Sequence, residues 1–319
     1  MKSNFSGIDT AISVPESTNV VRYKKGDVLI SNIRPYLKKV WAANRNGGCS
    51  ADVFVFRAKK LSPSFLLYVM ANDTFINYVM TGAKGVKMPR GDKQQILKYT
   101  LAVPMAEEQH KICYLMTLLD KRITTQNKII EDLKKLMSAI YQNVFCRKEA
   151  NVVSLGDICS IVKGQQLNGD SLSKNGDYYV MNGGVSPSGY YSAYNNEPNT
   201  ISISEGGNSC GYVQYNNERF WSSGHCYSLQ NLSSDINSMY LYHYLKYCEN
   251  SIMKLRIGSG LPNIQKKDLS AFKIFLPDKE SQKQLASIFT SIDTKYSVEK
   301  ILLSEYVNQK LYLLQQMFI

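Results

Sequence analysis

The sequence predicts an α+β fold of two β-rich globular segments, each followed by a long α-helix. Three observations predict it: the chain repeats itself at a fixed offset, two stretches carry heptad spacing of apolar residues, and the intervening segments are rich in strand and turn formers. We expect the two helices to pair as an antiparallel coiled coil with pseudo-twofold symmetry. The predicted segments are 1–103 (first globular segment), 104–150 (first helix), 151–276 (second globular segment) and 277–319 (second helix).

The internal repeat relates positions that lie 173 residues apart. The matches, which need no gap between them, are Gly85 with Gly258, Pro89 with Pro262, Pro104 with Pro277, Glu107 with Glu280, Gln109 with Gln282, Asp120 with Asp293 and Phe145 with Phe318. Prolines, glycines and polar residues do not replace one another as freely as apolar residues do. One offset held by such residues over more than a hundred positions therefore indicates a duplication.

The first globular segment is predicted to hold strands at 27–32 and 53–57, where apolar residues predominate. A helix is expected over 65–80, followed by a glycine turn at 82–85. The second segment is rich in Gly, Asn, Ser and Tyr over 183–227, a composition typical of short strands and loops. A helix is expected over 237–250, and a turn at 258–260 precedes the second long helix.

The long helices are predicted from apolar residues at alternating spacings of four and three, which place them on one face of a helix. The predicted seam includes Ile112, Leu119, Gln126, Leu133 and Ile140 in the first helix and Leu285, Ile292, Glu299, Leu303 and Leu313 in the second. Gln126 and Glu299 put a polar residue on the same rung of both helices, as residues that fix register often do. The alternative is that each helix packs into the core of a separate domain.

Composition places the chain among ordinary globular proteins. It has 319 residues, 44% of them hydrophobic and 20% charged, and a net charge of +12. The seven cysteines are scattered, and no stretch has the length or apolarity of a membrane span, so we expect a cytoplasmic protein with reduced thiols and no membrane partner. Residues 1–103 carry 16 Lys and Arg against 6 Asp and Glu. This excess suits a polyanionic partner, although a solvated basic surface explains it equally well.

Motifs for catalysis are absent from the sequence. It contains no P-loop, no Gly-x-Ser-x-Gly and no His-Glu-x-x-His. Pro277-Asp278 resembles the start of a nuclease carboxylate motif, but no Asp/Glu-x-Lys follows at a useful spacing, and both residues suit a helix start. His225 and Cys226 are adjacent without a recognisable third partner. We therefore predict no catalytic residues and no metal site.

Residues suited to DNA binding remain. Lys and Arg contact phosphates, whereas Asn and Gln pair with base edges. The candidates are Lys24, Lys25, Arg34, Lys38, Lys39, Arg45, Lys84, Lys87 and Arg90 in the first segment, and Lys163, Gln165, Asn182, Tyr190, Tyr191, Asn208, Arg256, Lys266 and Lys267 in the second. For any single Tyr or Asn in this set, a surface turn of a β-rich domain is the competing interpretation.

A family resemblance rests on several of these stretches. Lys25-Gly-Asp-Val-Leu-Ile-Ser31, the box Pro104-x-x-Glu-Glu-Gln109…Leu119-Asp120, its copy Pro277…Gln282…Ile292-Asp293, and Ser204-Glu-Gly-Gly-Asn208 resemble type I restriction–modification specificity (S) subunits over nearly the whole chain. The resemblance implies a non-catalytic subunit with two target recognition domains, each of which reads half of a bipartite double-stranded DNA sequence. The helices of such subunits set the spacing and dock the modification subunits, of which we expect two.

The same resemblance implies that cofactors lie on other chains. S-adenosylmethionine belongs to the modification (methyltransferase) subunits, and ATP and Mg²⁺ belong to the restriction (endonuclease/translocase) subunits. The assembled complex is then an adenine-specific DNA methyltransferase and a type I site-specific endonuclease. The alternative function is a protein-interaction scaffold with two β-rich heads.

One departure from the family pattern concerns the first recognition domain. The second repeat opens near Leu155, whose counterpart would lie before Met1. We therefore expect the first domain to lack about twenty opening residues, through truncation, a late start codon or recombination. The strand that they would form then comes from elsewhere or is missing.

Overall fold

The computed structural model describes residues 1–5, 7–10, 20–145, 151–258 and 260–318. The chain forms two compact units. Unit 1 consists of Met1–Ile129 and Glu299–Ile319, and unit 2 consists of Ile130–Val298. Each unit contains a β-rich head and part of both long helices, which confirms the α+β class. The four segment boundaries proposed for recognition domains and helices stay predictions, because these units are defined by compactness.

The head of unit 1 is built on two small antiparallel sheets. Its strands are β1 (Val20–Tyr23), β2 (Val28–Ser31), β3 (Val40–Ala42), β4 (Gly47–Ser50) and β5 (Val53–Phe56). One sheet has the order β3-β2-β5, with Val28 opposite Phe56, and the other pairs β1 with β4. The middle strand β2 is buried, and Val28 and Ile30 pack in a core cluster with Phe75 and Ile76. Next to it, the buried Asp27 carboxylate accepts two hydrogen bonds of 2.7 Å from Arg57, which lower its pKa.

The prediction of a single helix over 65–80 is wrong in one respect, because the structure has two helices there. They are α1 (Pro63–Ala71) and α2 (Asp73–Thr81), followed by the short α3 (Lys93–Ile96). Asn72 is extended between α1 and α2, and its side chain accepts from the N–H of Thr74, which caps α2. Its amide also donates to the carbonyl of Leu314 at 2.8 Å. The break thus anchors the head to the second long helix within unit 1.

The head of unit 2 repeats this plan with more strands. They are β6 (Asn151–Ser154), β7 (Ser160–Lys163), β8 (Tyr178–Met181), β9 (Gly189–Tyr191), β10 (Thr200–Ser204), β11 (Val213–Asn216), β12 (Phe220–Ser222), β13 (Cys226–Gln230) and β14 (Lys273–Leu276). The main sheet has the order β11-β10-β13-β7, a second has the order β12-β8-β9, and β14 pairs with β6. All pairs are antiparallel except β12 with β8.

Four short helices complete this head: α5 (Leu155–Ile158), α6 (Ser238–Tyr247), α7 (Glu249–Met253) and α8 (Lys266–Ser270). The prediction of a single helix over 237–250 is wrong in the same way. The structure has two helices, since α6 ends at the Cys248 cap before α7 begins. The core lies between the main sheet and these helices, where Ile203, Leu245, Leu269 and Ile274 are inaccessible to solvent.

The long helices are α4 (Ala106–Phe145) and α9 (Lys279–Met317). In unit 1, the Lys310 ammonium pairs with the Asp120 carboxylate, and the Arg122 guanidinium lies 5.7 Å from the ring of Tyr306. In unit 2, Tyr141 packs edge-on against Phe289 with ring centroids 5.0 Å apart. Also in unit 2, the Lys134 ammonium lies 5.7 Å from the ring of Tyr296. In both units, residues of increasing number in α4 contact residues of decreasing number in α9, so the contacting segments are antiparallel.

The predicted seam positions lie on the buried side of both helices. Gln126, Leu119 and Glu299 are buried, and the other seven residues of the predicted seam are half-buried. The intervening positions are mostly exposed. None of the helices in the described residues has both the length and the apolarity that crossing a membrane requires.

The glutamine of the repeated Pro-x-x-Glu-x-Gln box joins each long helix to its head. In unit 1, buried Gln109 accepts from the N–H of Ser62 at 3.0 Å and donates to the carbonyl of Pro104 at 2.9 Å. In unit 2, buried Gln282 accepts from the N–H of Asn237 at 2.9 Å and donates to the carbonyl of Pro277 at 3.0 Å. Both partners in the heads lie at the start of a helix, α1 or α6.

The structure adds a local shift to the repeat. Strands β5 and β13 keep the offset of 173, but the N-cap residues Ser62 and Asn237 lie 175 apart. With this shift, the buried Phe65 of α1 corresponds to the buried Tyr240 of α6. Tyr68 likewise corresponds to His243, and both side chains face the aspartate of the box on the adjoining long helix.

Candidate nucleic-acid interface

A loop docks on the end of a central strand in the same way in both units. In unit 2 the loop closes through paired main-chain hydrogen bonds between Ile257 and Asn263, of 2.8 and 3.0 Å, and Gly207 donates to the carbonyl of Pro262 at 3.1 Å. In unit 1 the loop closes through Lys84 and Arg90, at 2.9 Å in both directions. There Arg34 donates to the carbonyl of Pro89 at 2.8 Å.

These loops bring polar groups and exposed tips to one place in each head. Leu261 is 87% exposed at the tip in unit 2, and Val86 is fully exposed at the tip in unit 1. The loop of unit 2 borders a polar cleft of about 580 Å³. Its lining consists of Lys163, Asn182, Gly183, Gly184, Glu205, Gly206, Gly207, Asn208, Ser209, His225, Leu261, Pro262 and Asn263.

Glu205 is the charged centre of this cleft. It directly follows β10 and is only 7% exposed. Its carboxylate accepts from the Lys163 ammonium at 2.6 Å and from the Tyr227 hydroxyl at 3.4 Å, and the Nδ1 of His225 lies 3.8 Å away. The ion pair and the hydrogen bond offset part of the cost of burying a carboxylate at this depth.

The main chain holds Glu205 rigidly. Its N–H donates to the carbonyl of His225 at 2.9 Å, and its carbonyl accepts from the N–H of Ile264 at 2.8 Å. The main chain at Glu205 is therefore held by the residue before β13 on one side and by the residue after the docked loop on the other. A position fixed in this way is suited to specific recognition, because little conformational freedom is lost on binding.

Gly183 allows two backbone segments to meet at the floor of the cleft. Its φ of +78° lies in the left-handed region, and a Cβ there would lie 2.9 Å from the carbonyl oxygen of His225 and 3.1 Å from that of Gly206. The adjacent Asn182 accepts from the N–H of His225 at 3.3 Å. Only glycine fits this close approach without displacing the strand ends.

Of the nine candidates predicted in unit 2, the structure brings Lys163, Asn182 and Asn208 into the cleft. The other six lie outside its lining. Tyr190 and Tyr191 belong to β9, Lys266 and Lys267 start α8, Gln165 accepts from the indole of Trp221 through its carbonyl, and Arg256 is exposed beyond α7.

In unit 1 seven of the nine candidates form two groups. Lys24 borders a groove of about 420 Å³ whose lining also includes Arg22 and Asn46, and Lys25 and Arg45 are exposed next to these lining residues. Lys84, Lys87 and Arg90 are exposed on the docked loop. Arg34 is half-buried at the strand end on which this loop docks, and its Nε has no hydrogen-bond partner in the described residues.

Several of these cations are already paired within the chain. Lys38 is 17% exposed and forms an ion pair with Asp73. Arg90 lies 3.2 Å from Asp52 and Lys84 lies 3.6 Å from Asp92, but both basic side chains stay largely exposed. Lys39 is half-buried. Among the nine candidates of unit 1, Lys24, Lys25, Arg45 and Lys87 are therefore the exposed ones that carry no ion pair among the described residues.

Sequence reasoning missed Glu205 and Asn263 as members of the site. Glu205 corresponds to Asn32 at the offset of 173, and Asn263 corresponds to Arg90, one of the candidates in unit 1. Comparing candidates across the repeat would have found Asn263. Glu205 gave no such signal, because its partners come from β7 and β13, which are distant in sequence.

The described residues include His, Cys, Asp and Glu side chains of the kinds that bind metals or act as nucleophiles. They contain no group of three or more His, Cys, Asp or Glu side chains able to hold a metal ion. Burial raises the pKa of the Cys226 thiol to about 11, so it is protonated at neutral pH. The Cys226 thiol donates a hydrogen bond to the carbonyl of Tyr227 in its own strand, whereas His225 is exposed near Glu205. The adjacent pair is therefore not arranged as a nucleophile and its base.

The family model described as "Type I restriction modification DNA specificity domain" matches residues 2–135 and again 147–308. A protein of Mycoplasma pneumoniae named as a type I specificity subunit is 31% identical over 144 residues, 44% of this chain and 38% of that protein. One of Mycoplasma genitalium, named likewise, is 29% identical over 160 residues, 50% of this chain and 41% of that protein. The chain thus spans about two fifths of the length of these curated relatives.

Solved structures share the fold. A type I restriction–modification S subunit from M. genitalium superposes with a TM-score of 0.71 at 20% identity, covering 93% of this chain and 83% of that one. A chain from a structural study of assembly and conformational transition in the type I system gives 0.61 at 20% identity, covering 94% and 83%. Since the family model matches both halves of the chain, the protein belongs to the type I restriction modification DNA specificity family, with one domain in each half.

Proposed function

We propose that this chain is the DNA-specificity subunit of a type I restriction–modification complex and that each head reads one half of a bipartite target. The observation that carries the proposal is the docked loop that recurs in both heads, bordering a cleft of hydrogen-bonding groups in unit 2 and carrying the exposed cations Lys84, Lys87 and Arg90 in unit 1. Family membership through two copies of one domain supports it. A bipartite target requires two such sites.

The cleft of unit 2 has the chemistry for reading base edges. Asn182, Asn208 and Asn263 carry both donors and acceptors, Lys163 donates and Glu205 accepts. Asn matches the major-groove edge of adenine, Lys matches that of guanine, and a carboxylate accepts from the amino group of cytosine. The cations of unit 1 supply the complementary role of phosphate contacts.

The helices set the distance between the two half-sites in this proposal, as an antiparallel coiled coil with pseudo-twofold symmetry. Its support is that Gln126 meets Glu299, its own counterpart at the offset of 173. In a twofold arrangement a residue meets its counterpart only near the axis. Helices of 40 and 39 residues make rods of roughly 60 Å, which suits a spacer between two recognition domains.

The partners in this proposal are two modification subunits and the restriction subunits, and double-stranded DNA. S-adenosylmethionine lies on the modification subunits, and ATP and Mg²⁺ lie on the restriction subunits, so this chain itself is non-catalytic. Exposed apolar residues on both long helices, such as Tyr114 and Tyr312, offer surface for such partners. The structural relative from a study of type I complex assembly supports assembly with other subunits.

The test is to co-express the chain with candidate modification subunits and map methylated adenines across a genome. We expect a bipartite motif with a fixed gap. Asn208→Ala should relax one half of that motif and leave the other half and the gap unchanged, whereas Asn250→Ala, an exposed asparagine outside the cleft, should change nothing. Methylation without sequence preference, or DNA binding that any polyanion displaces equally, would instead favour a protein-interaction scaffold.

A further inference from the structure

Both docked loops hold an exposed apolar side chain directly before a proline. The two steps are Met88-Pro89 in unit 1 and Leu261-Pro262 in unit 2, and they correspond at the offset of 173. Met88 is 47% exposed and Leu261 is 87% exposed, whereas the prolines are buried or half-buried. A single exposed apolar residue is ordinary on a protein surface. Here the same exposed step occurs twice, at the same place in the repeat.

The main chain fixes the position of both apolar residues. A residue before a proline favours extended backbone. The carbonyl of each proline accepts a hydrogen bond from the head, at 2.8 Å from Arg34 in unit 1 and at 3.1 Å from Gly207 in unit 2. The loops turn at Gly85 and Gly258, where φ is +95° and +101° and a Cβ would lie 3.3 and 3.4 Å from the carbonyl oxygen of the apolar residue. Little conformational freedom of the main chain is therefore lost on binding.

Basic residues accompany the apolar residue in each head. The exposed cations are Lys84, Lys87 and Arg90 on the loop of unit 1, and Arg256, Lys266 and Lys267 before and after the loop of unit 2. Leu261 also lines the cleft of hydrogen-bonding groups in unit 2. Basic side chains of this kind contact phosphates. The charge around the loops therefore indicates that their apolar residues face nucleic acid.

The polar groups around the loops differ between the heads, but the apolar step does not. Glu205 and Asn263 of unit 2 correspond to Asn32 and Arg90 of unit 1. Such differences are expected of residues that read different bases. An apolar side chain of similar length, kept before a proline in both heads, suits a task that the two half-sites share whatever their sequence.

We propose that Met88 and Leu261 are wedges, each of which inserts between neighbouring base pairs of one half-site and partly unstacks them. The inference rests on the proposed DNA-specificity function and adds a distortion of the DNA to it. Leu and Met are among the residues that proteins insert in this way, and the contacts that a kinked duplex gains offset the cost of unstacking. Because pyrimidine–purine steps unstack most easily, the wedges select for such a step without contacting base edges.

The test uses the full chain assembled with its modification subunits and duplexes of the mapped target, in which 2-aminopurine replaces one purine at a time. The fluorescence of 2-aminopurine rises where the base unstacks. We expect a rise at one step in each half-site, away from the methylated adenine. Leu261→Ala should abolish the rise in one half-site and Met88→Ala in the other. Leu261→Met, which introduces the residue of unit 1, should retain it, and Val152→Ala, exposed on β6, is the control.

Binding titrations separate the wedge from the cations. Leu261→Ala should weaken binding of the target by roughly tenfold, because an apolar contact with the bases is lost. The slope of log K against log salt should not change in this variant, whereas Lys87→Ala should reduce it by roughly 0.9 for the phosphate contact that is lost. The exposure of Leu261 means that its substitution leaves the fold intact, which circular dichroism checks.

Three results would overturn the wedge and leave the proposed function standing. They are selective binding of the target without unstacking at any position, unstacking that both alanine variants retain, and alanine variants that lose only assembly with the modification subunits. A loss of affinity that uracil in place of thymine reproduces in full would assign the side chain to a thymine methyl group instead. If the wild-type complex binds the target no better than an unrelated duplex, the proposed function itself is wrong, and the wedge with it.

Discussion

The side-chain amide of Gln126 donates a hydrogen bond of 3.0 Å to the main-chain carbonyl of Glu299, and it also contacts the Glu299 carboxylate. Both residues are buried in an otherwise mostly apolar seam. The two occupy the same position of the repeat. A polar pair at this point ties the register of α4 against α9 to one arrangement, since a shift by a turn would bury both groups without partners.

Gln126→Ala should therefore lower the free energy of unfolding by about 1–3 kcal/mol, because the buried Glu299 loses a donor. Urea denaturation measures the change, and Thr125→Ala, an exposed neighbour on α4, is the control. Replacing both Gln126 and Glu299 by Leu should be close to neutral, because no unpaired polar group remains. A neutral single variant would show that the pair contributes nothing.

Gln109→Ala and Gln282→Ala should each destabilise their own unit by about 1–3 kcal/mol, because each glutamine satisfies main-chain groups at a helix start and at the box proline. Hydrogen exchange should show faster opening of α1 in the first variant and of α6 in the second. Gln94→Ala, an exposed position on α3, should have no effect. Equal effects of all three substitutions would argue against this role.

Gly183→Ala should distort the floor of the cleft, because the added Cβ meets the carbonyl oxygen of His225 and φ is positive. We expect a loss of stability of about 1 kcal/mol or more and weaker selection of one half-site in the methylation assay. Gly169→Ala is the matched control, because a Cβ there meets nothing within 4 Å. Unchanged selection by the Gly183 variant would place base reading elsewhere.

His243 makes the stability of unit 2 sensitive to acid. Burial lowers its pKa from 6.5 to about 4, and it shares a 2.8 Å hydrogen bond with the Tyr141 hydroxyl. Because the unfolded chain takes up this proton first, stability should fall as pH drops from about 6.5 towards 4, at up to about 1.4 kcal/mol per pH unit. Burial raises the pKa of the nearby Asp293, so the folded chain takes up a proton there before the unfolded chain does. This uptake offsets part of the loss of stability as the pH falls through the raised pKa.

The repeat provides the control for this effect, since Tyr68 occupies the corresponding place in unit 1 and donates to Asp120 at 2.9 Å. In His243→Tyr the difference in unfolding midpoint between pH 7 and pH 5 should shrink. If the wild type and this variant lose the same stability between pH 7 and pH 5, a group other than His243 causes the loss.

The free cations of unit 1 should control the salt dependence of DNA binding. Replacing Lys24, Lys25 or Arg45 by Ala should reduce the slope of log K against log salt by roughly 0.9 for each phosphate that the chain then leaves unneutralised. Arg34, Lys38 and Lys39 stay predicted phosphate ligands, but Lys38 should matter least because Asp73 pairs with it. Lys111→Ala, on α4, is the control. Slopes that do not change in filter-binding titrations would exclude these residues as phosphate ligands.

The sequence alone predicts which face of each long helix is buried, because heptad spacing encodes that face directly, and all ten predicted seam positions are buried or half-buried. It does not predict the break at Asn72, since this residue is held by a bond to Leu314, 242 positions away. It also does not predict that Lys38 is paired or that Glu205 is central, because their partners are supplied by other elements. Three of the nine candidates of unit 2 line the cleft, since residue type alone does not determine position.

The docked loops are held by main-chain atoms, as the bonds from Arg34 to Pro89 and from Gly207 to Pro262 show. Side chains at the loop tips take no part in these bonds. Mutations at the tips can therefore accumulate without moving the loop, so that new chemical preferences can evolve on an unchanged scaffold.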